Sequence, residues 1–269
     1  MYTLLASDSG QVHVCGHRGH CVDRPENTMA AFRRAVELGC TSLEVDVVLN
    51  GDGEIIVLHD LTVDRTTDGR GYAEDLSTSE VLALDAGVRF DPENAGERVP
   101  FLGEVLDFAC EHRIGLHCEI KDTPQNEDAL IARLGEHLAA VPDAGNWLVA
   151  ISFDHQQLAK VRASIPGLRT EGITHARHVD PAGLAIRAGL DSVSVEAGRF
   201  RSEDGHAIHG VGVAVRCHLP TPAVLAGYEI YGRDLRSVAG GWVADGAVDI
   251  LSGDDVGYLR ALVDEFTPS

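Results

Sequence analysis

Two histidines, His17 and His59, bracket two carboxylates, Glu44 and Asp46, in the N-terminal part of the sequence. The carboxylates lie on a strand predicted over residues 41–48 and face the same side, because side chains along a strand repeat every two residues. An imidazole changes its protonation near neutral pH and suits proton transfer, and carboxylate oxygens are ligands for Mg²⁺ or Ca²⁺. These residue types and their spacing predict a site for acid–base or metal chemistry.

Short elements on either side must position these groups. An apolar run over 12–16 predicts a strand that ends at His17 and Arg18, so an imidazole and a guanidinium would project from its C-terminal end. The segment 25–28 begins a helix in which most apolar residues recur every three or four positions, and Gly39 closes it. A strand, a helix and a second strand are therefore expected before the next turn.

That turn predicts how His59 reaches the carboxylates. Residues 47–54 are too few for a crossover helix, and Asp52-Gly53 is a strong hairpin signal before the apolar run 55–58. With Asp52 and Gly53 at the tip, His59 is expected directly opposite Asp46, within about 5.5 Å between backbones. Strand alternation and the spacing around this turn thus predict that a histidine and both carboxylates converge.

A third carboxylate, Glu119, lies on a strand predicted over 116–121. His117, Glu119 and Lys121 face one side of it, and an inward row of polar groups is costly unless partners or ligands meet it. Barrel enzymes place their chemistry at the C-terminal ends of such strands. Three carboxylates favour Mg²⁺ or Ca²⁺ over zinc. The alternative is that one or two of them only pair with Arg18 and Lys121.

The order of the predicted elements gives the fold class. Strands and helices alternate, and nine strands are predicted from residue 12 onward, one of which is the hairpin arm 55–58. Without that arm, eight strands remain with crossover connections, which predicts an α/β fold, a (β/α)8 TIM barrel. A small insertion is expected over about 60–100, after the His59 strand. We expect one domain spanning 1–269.

Charge and cysteine usage narrow the partners and the compartment. The formal net charge of −20 argues against nucleic acid or an anionic membrane as a partner. The six cysteines have no C-x-x-C spacing, which is typical of reduced, buried residues. The first ten residues lack a signal-peptide pattern, and no run is long enough for membrane insertion. We expect a cytoplasmic protein with a small-molecule substrate; the oligomeric state stays open.

Several motifs in this order resemble one known family. They are HRG at 17–19, PENTMAAFRRAVELG at 25–39, EVDV at 44–47, D-G-x-x-x-V-x-H-D at 52–60, RTTDGRG at 65–71 and HCEIK at 117–121. Together they resemble the glycerophosphodiester phosphodiesterase family. The likeness is nearly continuous from residue 17 to about 121, resumes at 151–154 and is weak beyond.

The resemblance implies an activity and a role for each site residue. It implies a TIM barrel that hydrolyses glycerophosphodiesters, small-molecule phosphodiesters, to glycerol phosphate and an alcohol. A divalent cation, Mg²⁺ or Ca²⁺, would be held by the three carboxylates. Two histidines would act as general acid and base, and either a vicinal substrate hydroxyl or water would attack. The implied residues are Glu44, Asp46 and Glu119 for the metal, His17 and His59 for proton transfer, and Arg18 and Lys121 for the phosphate.

One stretch departs from the family pattern. Where the family has Trp-Thr-Val-Asn, this sequence has Arg216-Cys217-His218-Leu219, and the later glycine-rich motif is degraded over 248–254. Strand alternation directs Arg216 inward, where it either pairs with Glu196 or binds substrate. The substrate could therefore differ: a lysophospholipid, cleaved in the manner of phospholipase D, or a sugar phosphodiester. The insertion has few aromatic residues to favour the lipid. A catalytically silent binding barrel is the remaining alternative.

Overall fold

The computed structural model describes residues 1–121, 125–141, 143–229, 232 and 234–267. Eight parallel strands form a closed barrel, because β1 pairs with both β2 and β9. This confirms the predicted TIM barrel. The strands are β1 (His13–His17), β2 (Ser42–Leu49), β3 (Ile55–Val57), β4 (Gly115–Ile120), β5 (Leu148–Ser152), β6 (Arg169–Thr174), β7 (Ser192–Glu196), β8 (Ala214–His218) and β9 (Ile250–Gly253).

Most of the described helices follow barrel strands and bury apolar side chains against them. The described helices are α1 (Ala6–Ser9), α2 (Met29–Glu37), α3 (Thr78–Leu82), α4 (Leu102–His112), α5 (Glu127–Ala140), α6 (His155–Ser164), α7 (Pro181–Ala188), α8 (Ser202–His209), α9 (Pro222–Glu229), α10 (Leu235–Ala244) and α11 (Val256–Phe266). Helix α8, in which only Gly205 and Ile208 are buried, was not predicted from the sequence. A Cβ at Gly205 would lie 2.2 Å from the Ala247 carbonyl oxygen, so this helix depends on close packing rather than on an apolar stripe. Helix α10 was not predicted either.

The predicted hairpin is present, with its register shifted by one residue. Strand β3 pairs antiparallel with β2, and Leu58, not His59, is the residue opposite Asp46. The backbone N–H of Leu58 donates to the Asp46 carbonyl at 2.9 Å. Asn50 pairs with Glu54, which leaves a three-residue loop ending in Gly53 at φ 79° rather than a two-residue tip. His59 therefore follows the strand and reaches the site from the bend beyond it.

The insertion packs on the hairpin. Buried apolar side chains from both form a separate small cluster: Val48, Ile56, Leu58, Val63, Ala73, Val81, Ala86 and Val99. Two aromatic side chains of the insertion stay largely outside it, since Tyr72 is 53% and Phe90 is 45% exposed. The insertion therefore presents more aromatic surface than the sequence suggested.

A buried ion pair crosses the barrel interior. Arg216 Nε donates to Glu171 Oε1 at 2.6 Å, and Ser192 Oγ donates to Glu171 Oε2 at 2.8 Å. Arg216 faces inward as predicted, but its partner is Glu171 on β6 rather than Glu196. Glu196 is instead 3.4 Å from His175 Nδ1. Depth in the barrel explains why Arg216 pairs with Glu171, because Glu171 lies inside the barrel whereas Glu196 is at the strand end.

Within the described part of the chain, the helices are all too short or too polar to cross a bilayer.

Replacing Glu171 with glutamine should destabilise the fold strongly. The change leaves the Arg216 guanidinium buried without a counter-charge, which costs about 3–5 kcal/mol of unfolding free energy. Burial would raise the pKa of Glu171, but Arg216 and then His117 hold it at about 2. Because this pKa lies below the unfolded value, the carboxylate stabilises the fold fully above pH ~4.3, and the contribution is lost as pH falls towards 2.

Urea unfolding from pH 2.5 to 7 tests this. The gap between parent and Glu171→Gln should be constant above about pH 5 and shrink below it. Glu265→Gln, which breaks a pair with Arg236 in which Glu265 is 51% exposed, is the matched control. It should change the unfolding free energy by less than about 1 kcal/mol. Equal stability of Glu171→Gln and the parent would contradict the assignment.

Candidate active site

A cavity of about 370 Å³ opens at the C-terminal ends of the barrel strands. All of the predicted site residues except Asp46 line it, and Asp46 lies beside it in contact with Arg18 and Lys121. The lining residues are His17, Arg18, Glu44, His59, Glu119, Lys121, Phe153, Ile173, His175, Ser194, Glu196, Arg216 and His218. The fold thus brings all eight predicted residues to one place.

The three predicted metal ligands form one cluster. Each of Glu44, Asp46 and Glu119 has a carboxylate oxygen within 4.8 Å of the others, and all three residues are buried. Strand register explains this, because Asp46 is the direct β2–β4 partner of Glu119, and Glu44 lies two residues before Asp46 on the same face. Glu44 is also the β1–β2 partner of His17.

The cluster has more negative charge than its nearby cations neutralise. Arg18 Nε is 3.1 Å from Asp46, and Lys121 Nζ is 3.2 Å from Asp46 and 2.5 Å from Glu119. The third carboxylate, Glu44, has a buried Oε1 that makes no hydrogen bond with any described residue. Burial, and then the neighbouring Asp46, raise the pKa of Glu44 to about 7. An all-oxygen cluster with an unpartnered buried oxygen fits a divalent cation.

The HRG motif bends the chain tightly after β1. Arg18 adopts a left-handed backbone with φ 57°, and its N–H donates to the Glu44 carbonyl at 2.9 Å. Gly19 has φ 95°, and a Cβ there would lie 2.6 Å from the Ala31 Cβ, so only glycine fits. This bend places the Arg18 guanidinium between Asp46 and Glu26, which it contacts at 3.1 and 2.9 Å.

Asp254, which the sequence analysis did not single out, orients His17. Its Oδ1 is 2.7 Å from His17 Nδ1, while His17 Nε2 is 3.8 Å from Glu44 Oε2. Burial would lower the pKa of His17, but Glu44 and the Asp254 hydrogen bond together raise it above the usual value. Asp254 lies in the degraded motif over 248–254, and that motif was the sequence signal by which Asp254 could have been found.

His59 has a matching partner in the next residue. Its Nδ1 is 2.7 Å from Asp60 Oδ1. The hydrogen bond from Arg65 is the main reason that the pKa of Asp60 falls to about 2, so this carboxylate is ionised. Both histidines therefore use Nδ1 to contact a carboxylate, which sets the ring orientation and leaves Nε2 for other chemistry.

His218 is a further cavity residue that the sequence analysis did not assign. Its ring lies edge-on to that of His17, with centroids 4.8 Å apart. Burial, and then the charge of His17, lower the pKa of His218 to about 3, so it is a neutral imidazole. The lining also includes Phe153, whose ring centroid is 4.8 Å from that of His175.

The sequence matches the model of the Glycerophosphoryl diester phosphodiesterase family over residues 17–205. A glycerophosphodiester phosphodiesterase of Caldanaerobacter subterraneus subsp. tengcongensis is 38% identical over 178 residues, which cover 65% of this chain and 71% of the relative. A glycerophosphodiester phosphodiesterase of Bacillus subtilis is 31% identical over 207 residues, covering 72% and 70%.

Solved structures share the whole barrel. A phosphodiesterase of Oleispira antarctica, solved in complex with its product sn-glycerol-3-phosphate, superposes with a TM-score of 0.79 at 24% identity, covering 96% of this chain and 99% of that one. A putative glycerophosphoryl diester phosphodiesterase of Silicibacter pomeroyi has a TM-score of 0.80 at 23% identity, covering 96% and 95%. At these identities the likeness supports the fold.

Replacing Asp254 with asparagine should lower the pKa of His17 in the metal-free protein. The amide no longer stabilises the imidazolium, and burial then favours the neutral ring. NMR titration of the imidazole Cε1–H, assigned with a His17→Gln spectrum, measures it. Asp255→Asn removes the neighbouring carboxylate, which accepts from the Tyr258 N–H at the start of α11, and should leave His17 unchanged. An unaltered His17 titration in Asp254→Asn would refute the role of Asp254.

Proposed function

Because the chain belongs to the glycerophosphoryl diester phosphodiesterase family, whose members are phosphoric diester hydrolases, we propose that it hydrolyses glycerophosphodiesters to glycerol phosphate and an alcohol. The observation that carries this proposal is the pair of histidine–carboxylate contacts, each 2.7 Å, at a cavity beside which three buried carboxylates cluster. Proton transfer and charge neutralisation are the two requirements for splitting a phosphodiester next to an alcohol.

Glu44, Asp46 and Glu119 would hold a divalent cation, Mg²⁺ or Ca²⁺. Two observations support this metal site: the Glu44 oxygen without a hydrogen-bond partner and the shortage of positive charge around the cluster. When bound, such a cation supplies positive charge to phosphoryl oxygens as negative charge develops on them. The protein contributes the shape and burial of the cluster, which keep bulk water from screening that charge.

Arg18 and Lys121 would bind the non-bridging phosphate oxygens. Both line the cavity, and both are already fastened to Asp46, so their charged groups are fixed before substrate arrives. The guanidinium offers a planar fork and the ammonium a point charge. Fixed cations of this kind favour the transition state, because they need no rearrangement as charge develops.

His17 and His59 would carry the proton transfers. One imidazole removes a proton from the attacking hydroxyl, either water or a vicinal hydroxyl of the substrate, and the other gives a proton to the departing alcohol oxygen. The Nδ1 contacts with Asp254 and Asp60 fix both rings, and the Asp254 contact also stabilises the imidazolium form of His17. Nε2 is then the atom that exchanges the proton.

Arg216 would contribute to substrate binding by a hydrogen bond rather than by net charge. It lines the cavity, but Glu171 neutralises it, and Nη1 also donates to Ser252 at 3.2 Å. A second candidate substrate, a lysophospholipid cleaved at the same bond, is favoured by the half-exposed Phe90, which lines a cavity of about 160 Å³ beside Arg65. Rates on glycerophosphocholine and lysophosphatidylcholine distinguish the two.

Removing divalent metal should abolish phosphodiesterase activity, and Mg²⁺ or Ca²⁺ should restore it. Calorimetry of the chelated protein should detect binding of one of these ions. Glu44→Gln should weaken that binding strongly, whereas Glu37→Gln, at an exposed carboxylate on α2, should not. Full activity in a chelated sample that contains no metal by elemental analysis would refute the metal requirement.

His17→Ala and His59→Ala should each lower kcat by about a hundred- to ten-thousand-fold, as expected for loss of a general acid or base. His206→Ala, at a half-exposed histidine on α8, is the matched control and should keep the parent rate. Circular dichroism and thermal unfolding should confirm that all three variants fold. Near-parent rates of either site variant on an unactivated diester would exclude that histidine from proton transfer.

A further inference from the structure

Of the motif RTTDGRG at 65–71, the site described so far uses only the hydrogen bond from Arg65 to Asp60. The motif forms a fixed turn rather than a loose loop. Thr67 is fully buried, its hydroxyl donates to the Val63 carbonyl at 2.7 Å, and it accepts from the Gly69 N–H at 3.1 Å. The Asp68 side chain accepts from the Asp85 N–H at 2.8 Å. These bonds fix the backbone from which Arg65 projects.

The Arg65 guanidinium bridges two carboxylates. Nη1 and Nη2 each donate to Glu26 at 2.8 Å. Nε and Nη2 donate to Asp60 at 2.7 and 3.1 Å. Two forked contacts from one side chain require the planar guanidinium, which a lysine ammonium does not match.

Each of these carboxylates also contacts a residue of the proposed active site. Glu26 accepts from Arg18 Nη1 at 2.9 Å, and Asp60 is 2.7 Å from His59 Nδ1. Arg65 is therefore one residue removed from the phosphate-binding cation on one side and from a proton-transfer histidine on the other. The continuous chain of contacts runs Asp46, Arg18, Glu26, Arg65, Asp60, His59.

Overall stability alone does not explain this arrangement. The Arg65 side chain is 46% exposed, and a single exposed ion pair contributes about 0–1 kcal/mol to folding, although forked contacts within a network contribute more. Orientation explains it better. Without the guanidinium between them, Glu26 and Asp60 would repel each other beside the mouth of the site. Asp60 would also lose the two hydrogen bonds from Arg65 that hold it against His59.

We propose that Arg65 is a positioning residue for the phosphodiesterase reaction, and that it orients His59 through Asp60 and Arg18 through Glu26. This inference rests on the proposed function. It assigns the RTTDGRG turn of the insertion to catalysis, with the buried threonine fixing the backbone and the arginine joining the two sides of the site. Small displacements of reacting groups cost up to about a hundredfold in rate.

The test compares Arg65→Met, Arg65→Lys and the matched control Arg70→Met. Arg70 lies in the same turn and is exposed, and no ion pair is found for it among the described residues. Arg65→Met should lower kcat by about ten- to a hundredfold and raise KM in a protein that thermal unfolding shows to be folded at the assay temperature. Arg65→Lys should recover only part of kcat, and Arg70→Met should match the parent.

Double-mutant cycles separate the effect of Arg65 through Asp60 from its effect through Glu26. In an Asp60→Asn background, Arg65→Met should no longer lower kcat; in a Glu26→Gln background, it should no longer raise KM. Parent-like kinetics of Arg65→Met, or effects that simply multiply with both backgrounds, would overturn the proposal. If His59→Ala itself keeps the parent rate, it is the proposed function that fails, so the two failures are distinguishable.

Discussion

Burial of three carboxylates at one end of the barrel is the constraint on which the rest of the site depends. Glu44, Asp46 and Glu119 are each at most 6% exposed, and charge removed from water is costly unless it is paired. Arg18 and Lys121 neutralise part of this charge through contacts of 2.5–3.2 Å. Glu44 keeps an unpartnered oxygen and a raised pKa. A cluster left short of positive charge could hold a cation.

Strand register brings these carboxylates together in the barrel. Direct pairing of Asp46 with Glu119 and of Glu44 with His17 puts the carboxylates and the His17 imidazole in neighbouring positions. Below them, a second buried charge, Glu171, is matched by Arg216 and by hydroxyl and imidazole neighbours. Because Glu171 and Arg216 neutralise each other, this part of the interior can be polar without losing its packing.

Much of the site could be predicted because its chemistry is local in sequence. His17, Arg18, Glu44, Asp46 and His59 lie on consecutive elements, where side-chain alternation and a short turn decide which groups meet. The same local reasoning failed where spacing was ambiguous. A three-residue loop in place of a two-residue tip moved Leu58 into the position expected for His59. Helix α8 was missed because close packing of Gly205 replaces an apolar stripe.

The sequence by itself determined the alternation of strands and helices, hence the barrel, and the residue types that gather at its mouth. Only the tertiary structure decided their partners. Asp254 contacts His17 across 237 positions of the chain, and Glu171 rather than Glu196 pairs with Arg216 across 45. Alternation tells which face a side chain is on, but the closing of β1 on β9 and the depth of each residue in the barrel decide which charges come within hydrogen-bonding distance.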